Sequence, residues 1–131
     1  MYATRLLADP GETYRQVDIN SRINGASPHG LICLLFDDLL RSLRLGALAT
    51  EQRDHPAKSA NLTKALALLF ALESGLDFER GGTVAETLSR FYRGARETVM
   101  EASLALDAEQ LRRVATNVAE IADSWRAIGA R

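Results

Sequence analysis

The sequence is poor in the residues that staple or interrupt a chain. It has one cysteine, Cys33, set inside an apolar run, so no disulfide framework holds this fold. A lone thiol fits a reducing compartment, and this position suits a small buried hydrophobe better than a reactive centre. Only three prolines occur, and none falls beyond the first turn of a helix that the pattern suggests. Histidine is scarce too: His29 lies in a first helical turn and His55 directly precedes Pro56. Neither sits mid-helix among basic neighbours, as a phosphotransfer bundle requires, and both read as surface or capping residues. No Glu-x-x-His pair is present, which removes the di-metal carboxylate bundles. The chain is therefore expected to be no enzyme and to hold no metal and no cofactor.

Excess charge of one sign is also missing. Sixteen Lys and Arg face seventeen Asp and Glu, interspersed, for a net charge of −1. That excludes the basic stripe of a nucleic-acid or anionic-membrane binder. The apolar run from Leu31 breaks at Asp37, far short of the ~20 residues a membrane span needs. The N-terminal MYATRLLADPG has no h-region of a signal peptide. No membrane insertion and a cytoplasmic location are expected.

What is present is helical periodicity. Ser27-Pro28 suits an N-cap followed by a first helical position, and Ile32, Leu35, Phe36, Leu39, Leu43 and Ala47 follow as one stripe. A second helix is expected from Pro56, carrying Leu62, Ala65, Leu66, Leu69, Leu72 and Leu76 and stopping near Gly75. Asp77 to Gly82 (DFERGG) reads as a loop, whose glycines suit positive φ and chain reversal better than an anion site at the following helix. Thr83 with Glu86 makes a capping box for a third helix, with Leu88, Phe91, Tyr92, Ala95, Val99, Ala102 and Leu106 as its stripe. Asp107 with Gln110 repeats the arrangement for a fourth, whose Leu111, Val114, Val118, Ile121, Trp125 and Ile128 are spaced as a and d positions. The fold class is all-α, an antiparallel four-helix bundle over 27–131 with an N-terminal arm over 1–26, one unit across 1–131.

Two features exceed what a bundle needs. The first helix is apolar beyond one stripe, since Leu31, Leu34, Leu45 and Leu48 form a second row, and Leu68 and Phe70 lie off the main row of the second helix. Either the first helix is central and covered on several sides, or a groove awaits a partner's helix. The arm carries Tyr14, Val17, Ile19 and Ile23, too apolar for an idle tail and too short for a stable isolated helix. It is expected to dock on the bundle as a reversible cover over part of the groove, with permanent attachment as core and direct contact with a partner left open, Tyr14 burying its ring while the hydroxyl keeps a polar partner. Asp37 and Asp38 have no partner for acid–base work, and one of them is expected to accept a hydrogen bond from the arm or a neighbouring helix.

Several motifs resemble those of the FliS family, the flagellin-specific flagellar secretion chaperones. Tyr14 ahead of Ser27, ASPHGLICLLFDDLL (Ala26 to Leu40), KALALLFALESGLDFERGG (Lys64 to Gly82), LSRFY (Leu88 to Tyr92), MEASLALD (Met100 to Asp107) and Trp125 follow in the family's order. The resemblance implies a cytoplasmic chaperone that binds the disordered C-terminal segment of flagellin, prevents premature polymerisation and serves type III flagellar secretion. Flagellin and the flagellar export apparatus are the implied partners, with a flagellar regulator left open and the protein a monomer or weak homodimer. Tyr14, Val17, Ile19, Ile23, Leu69, Phe70, Leu72, Leu88, Phe91, Tyr92 and Ala95 are the candidate flagellin contacts. The alternative is a generic helical adaptor or homodimeric regulator that uses the same apolar groove.

Overall fold

The computed structural model of the chain describes residues 13–14 and 28–129. Four helices follow one another: α1 (Pro28–Glu51), α2 (His55–Ser74), α3 (Phe78–Ala105) and α4 (Ala108–Gly129). They form an all-α antiparallel bundle in which α1 packs on α2 and α4, and α3 packs on the same two from the opposite corner. The pairs made by α1 are the extensive ones, and α3 against α4 is the slightest. The core is the sum of the four stripes. Ile32, Phe36, Leu39 and Leu43 of α1 meet Leu62, Leu69 and Leu72 of α2, Leu88, Tyr92 and Val99 of α3, and Leu111, Val118 and Trp125 of α4.

Local chemistry sets the helix ends. Asp54 caps α2 by accepting from Ala57 N (3.1 Å), so the helix begins at His55, a residue before Pro56. Asp107 caps α4 by accepting from Gln110 N (3.0 Å), as the capping pattern suggests. Ser27, the expected cap of α1, lies outside the described residues.

The start of α3 differs from the sequence reading. Asp77 to Gly82 is not a loop, because Asp77 Oδ1 accepts from Arg80 N (3.0 Å) and opens a helical turn at Phe78. Gly82 then breaks the direction of that turn at φ 49°, ψ −125°, and the main run of α3 follows. Thr83 thus opens the main run of α3 just after the kink, as expected for the third helix, and the Asp77 turn is added ahead of it. Two N-terminal signals stand along this stretch, and Gly82 lets the chain bend between the turn that Asp77 opens and the run that starts at Thr83.

Packing answers the surplus on α1 in two ways. Leu31, Cys33 and Leu35 are partly buried against the core, since α1 is flanked by two helices. Leu34, Leu45 and Leu48 stay exposed. Gly46 lets α1 and α2 approach closely, because a Cβ there would stand 2.4 Å from Leu62 Cδ2. Asp37 and Asp38 each pair with a neighbouring helix, Asp37 with Arg126 of α4 and Asp38 with Lys64 of α2 at 3.1 Å.

Candidate functional site

The described part of the arm is seated at the end of the bundle where α2 turns into α3. Thr13 O accepts from Asp77 N (2.8 Å), and Tyr14 forms an antiparallel bridge with Leu76. Leu76 falls beyond α2 yet is fully buried, because the bridge and the bundle end enclose it. The Tyr14 ring enters the core edge-on to Trp125, with centroids 5.7 Å apart and planes at 88°. Gly75 leaves it room, since a Cβ there would lie 3.2 Å from Tyr14 Cδ1. The Tyr14 hydroxyl meets the Tyr92 hydroxyl at 2.6 Å. Burial holds both phenols protonated, raising Tyr14 and Tyr92 above the ordinary tyrosine value, so one donates and the other accepts. The docked ring with a satisfied hydroxyl is the arrangement expected of an anchor.

Trp125 ties this seat to α1. Its Nε1 donates to His29 O (2.9 Å), its own carbonyl bonds to His29 Nε2, and the two rings stack at 4.9 Å and 5°. A carbonyl only accepts, so Nε2 is the donor in that bond, and Nδ1 lies 3.7 Å from the Cys33 sulfur. His29 is therefore not the surface or simple capping residue its position suggests, because a partner far along the chain holds it half-buried. His55 is exposed at the start of α2. Burial pushes the Cys33 thiol up, only partly countered by Arg126, which leaves a protonated and poorly nucleophilic sulfur.

The candidate contacts divide by exposure. Leu69, Leu72, Leu88 and Tyr92 are fully buried and Ala95 nearly so, all in the common core, while Tyr14 is buried in the arm seat. Phe70 is 60% exposed, and Phe91 is partly buried against Tyr92. Val17, Ile19 and Ile23 lie outside the described residues. A side chain on the core stripe of a bundle is spent on its own helices. The off-stripe position of Phe70 is the signal that separates it from its neighbours.

Two grooves flank α3. One of about 430 Å³ lies between α3 and α4, where Phe91, Ala95 and Val114 supply apolar floor and Arg90 and Arg113 the charge. Gly94 opens it further, as a Cβ there would meet nothing within 4 Å. The other, of about 480 Å³, lies between α2 and α3, lined by Leu62, Leu66, Val99, Met100 and Leu104 with Lys58 and His55 at its polar edge. Met100 is 55% and Leu104 88% exposed, and the sequence reading assigned neither to a site.

A polar clamp closes the α2–α3 seam further along. Glu73 receives hydrogen bonds from Ser89 Oγ (3.1 Å), Arg93 Nη2 (3.2 Å) and Arg96. Burial alone would push the Glu73 carboxyl up, but the bonds from Arg96, Ser89 and Arg93 outweigh it and hold it below the usual carboxylate range. Arg96 also covers the Phe70 ring at 5.4 Å, which fixes the orientation of the exposed aromatic. Among the described residues, no group of three or more His, Cys, Asp and Glu side chains could hold a metal ion, and no helix is long and apolar enough to cross a membrane.

The model of the family described as "Flagellar protein FliS" matches residues 10–131, which includes the arm seat. The chain is 36% identical over 118 residues to the flagellar secretion chaperone FliS of Salmonella typhimurium, across 89% of this chain and 87% of that one. It is 32% identical over 128 residues to the flagellar secretion chaperone FliSB of Pseudomonas aeruginosa, across 98% of each chain. The flagellar secretion chaperone FliS of Bacillus subtilis is more distant, 26% identical over 120 residues, 92% of this chain and 86% of its own.

Proposed function

This chain belongs to the FliS family, and on that premise we propose that it is a cytoplasmic export chaperone for flagellin. It holds the disordered C-terminal segment of newly made flagellin, keeps it from polymerising early, and hands it to the flagellar type III export apparatus. The observation that carries this reading is a core already complete without Phe70, Met100 and Leu104, which remain exposed, Met100 and Leu104 as lining of the α2–α3 groove. A segment that folds as it binds spends interaction energy on its own ordering, about 2–5 kcal/mol or more. It needs extended apolar contact, at roughly 25 cal/mol per Å² before those costs. Two grooves and an exposed aromatic offer that kind of surface.

The residues take different parts. Phe70 and Phe91 touch the flagellin segment directly. Ala95 lines the α3–α4 groove, and Leu69, Leu72, Leu88 and Tyr92 are core residues that hold α2 and α3 in the bundle. Tyr14 of the arm occupies its seat at the bundle end while flagellin is absent and gives way when it arrives. Apparent affinity is then reduced by the fraction of closed molecules.

The test mixes the full chain with a purified flagellin C-terminal segment and follows helix content by circular dichroism and affinity by calorimetry. Helix is gained on mixing, and Phe70→Asp and Leu104→Asp each weaken binding by about tenfold or more, as expected for an anchor residue. Both variants must keep their own helix content and cooperative melting, which their exposure favours. If these folded variants bind like the parent chain, the site is wrong; if no helix is gained and no complex forms, the function is wrong.

A further inference from the structure

The kink of α3 sits next to the backbone that the arm grips. Leu76 bridges Tyr14, the Asp77 amide donates to Thr13 O at 2.8 Å, and Asp77 also caps the single turn that ends at Gly82. The Asp77 carbonyl accepts from Gly81 N at 2.7 Å, so one residue joins the arm to the whole of that turn. Gly82 lies at φ 49°, ψ −125°, the conformation of the first central residue of a type II′ turn, which side-chain-bearing residues rarely adopt. A Cβ built there would meet nothing within 4 Å, so the positive φ is the one feature of this position that resists a side chain. The arm's bonds to Leu76 and Asp77 lie at the start of the same turn that Gly82 ends.

We propose that Gly82 is a hinge held bent by the docked arm, so that release of Tyr14 and realignment of the Phe78–Gly81 turn with α3 are one transition. The bent state keeps Leu76 and Asp77 extended, with the Asp77 amide turned to Thr13. Once the arm leaves, that amide loses its acceptor and Leu76 loses its bridge. A helical φ at Gly82 then joins the turn to the rest of α3, which trades the arm's bonds for backbone bonds of a longer helix. Phe78, already 46% exposed, travels with the turn, so arm release changes the apolar surface at this end of the bundle. The inference takes from the proposed function only that the arm can leave.

Two glycines of α3 make the test clean. Both Gly82 and Gly94 would carry a Cβ in open space, but only Gly82 has positive φ. Gly82→Ala should therefore lower the folding equilibrium constant about tenfold through backbone strain, whereas Gly94→Ala should raise it. The cycle of Gly82→Ala with Tyr14→Ala, in the full chain, reads the coupling. The expected result is that Gly82→Ala costs much less, or nothing, once Tyr14 is gone. Separately, Tyr14→Ala alone should move the Gly82 and Thr83 backbone chemical shifts to helical values and speed exchange of the Asp77 amide. Additive costs in the cycle, with Gly82 shifts unchanged in Tyr14→Ala, would overturn the hinge. Neither readout contains flagellin, so failure of the flagellin reading leaves this result standing, and the reverse.

Discussion

Tyr14 and Tyr92 satisfy each other in a place water does not reach, and among the described residues no buried side-chain nitrogen or oxygen is left without a partner. Removing one hydroxyl therefore does more than delete a bond, because it strands the other. Tyr14→Phe should cost about 1–3 kcal/mol by leaving the Tyr92 hydroxyl buried and unpaired. Tyr14→Phe with Tyr92→Phe should recover much of that loss, since neither ring then carries a polar group to desolvate. Urea denaturation of the two single variants and the double variant checks this. Additive losses would mean that the hydroxyls find separate partners. The same scale explains Arg53, a non-glycine residue at φ 56° just after α1. It is fully on the surface, so Arg53→Gly relieves the left-handed strain and should stabilise by about 0.5–1 kcal/mol in the same assay.

Between elements, the α2–α3 seam depends on one carboxylate as well as on apolar packing. Glu73 is only 13% exposed at its side chain and is held below the usual carboxylate range despite burial. A group whose pKa is depressed by folding stabilises above its unfolded value and loses that contribution as pH falls through the folded one. Glu73→Gln should thus cost about 1–3 kcal/mol at neutral pH. The gap between parent and variant should narrow as pH drops below about 4.5, the ordinary value for this carboxyl. Thermal melts from pH 7 to pH 3 measure it, and a gap that stays constant would remove charge from the explanation. The Arg112–Glu51 pair of α4 and α1, bonded at 2.9 Å, lies in solvent and is not expected to matter comparably.

For the whole molecule, a net charge of −1 and grooves carrying few charges set the character of binding. Association through apolar burial is little screened by salt, while association through exposed charge is strongly screened. Affinity for the flagellin segment should change by less than about threefold between low and moderately high salt. A loss of tenfold or more across that range, measured by calorimetry, would move the energetics from the apolar grooves to the Arg90 and Arg113 rim.

Helix existence was legible in the amino-acid sequence because its causes are local. A capping aspartate such as Asp107, a proline in the first turn and an apolar residue every third or fourth position all act within one or two turns. Four such segments joined by short connections leave an antiparallel bundle as the economical arrangement. Exposure was not legible, because it depends on neighbours distant in sequence. Leu69 and Phe70 are adjacent, yet one is core and the other is surface. Leu34 and Leu104 look as apolar as Leu39 and Leu88 until the helices are assembled. His29 met Trp125, and Tyr14 met Tyr92 and Leu76, only through contacts that no local window contains. At Asp77 and Thr83 the chain starts helix twice, with the positive φ of Gly82 turning it between the two. The sequence by itself determined which segments are helices and which side of each is greasy. Tertiary structure alone decided which of that apolar surface remains for a partner, since only a neighbouring helix or the arm removes it from water.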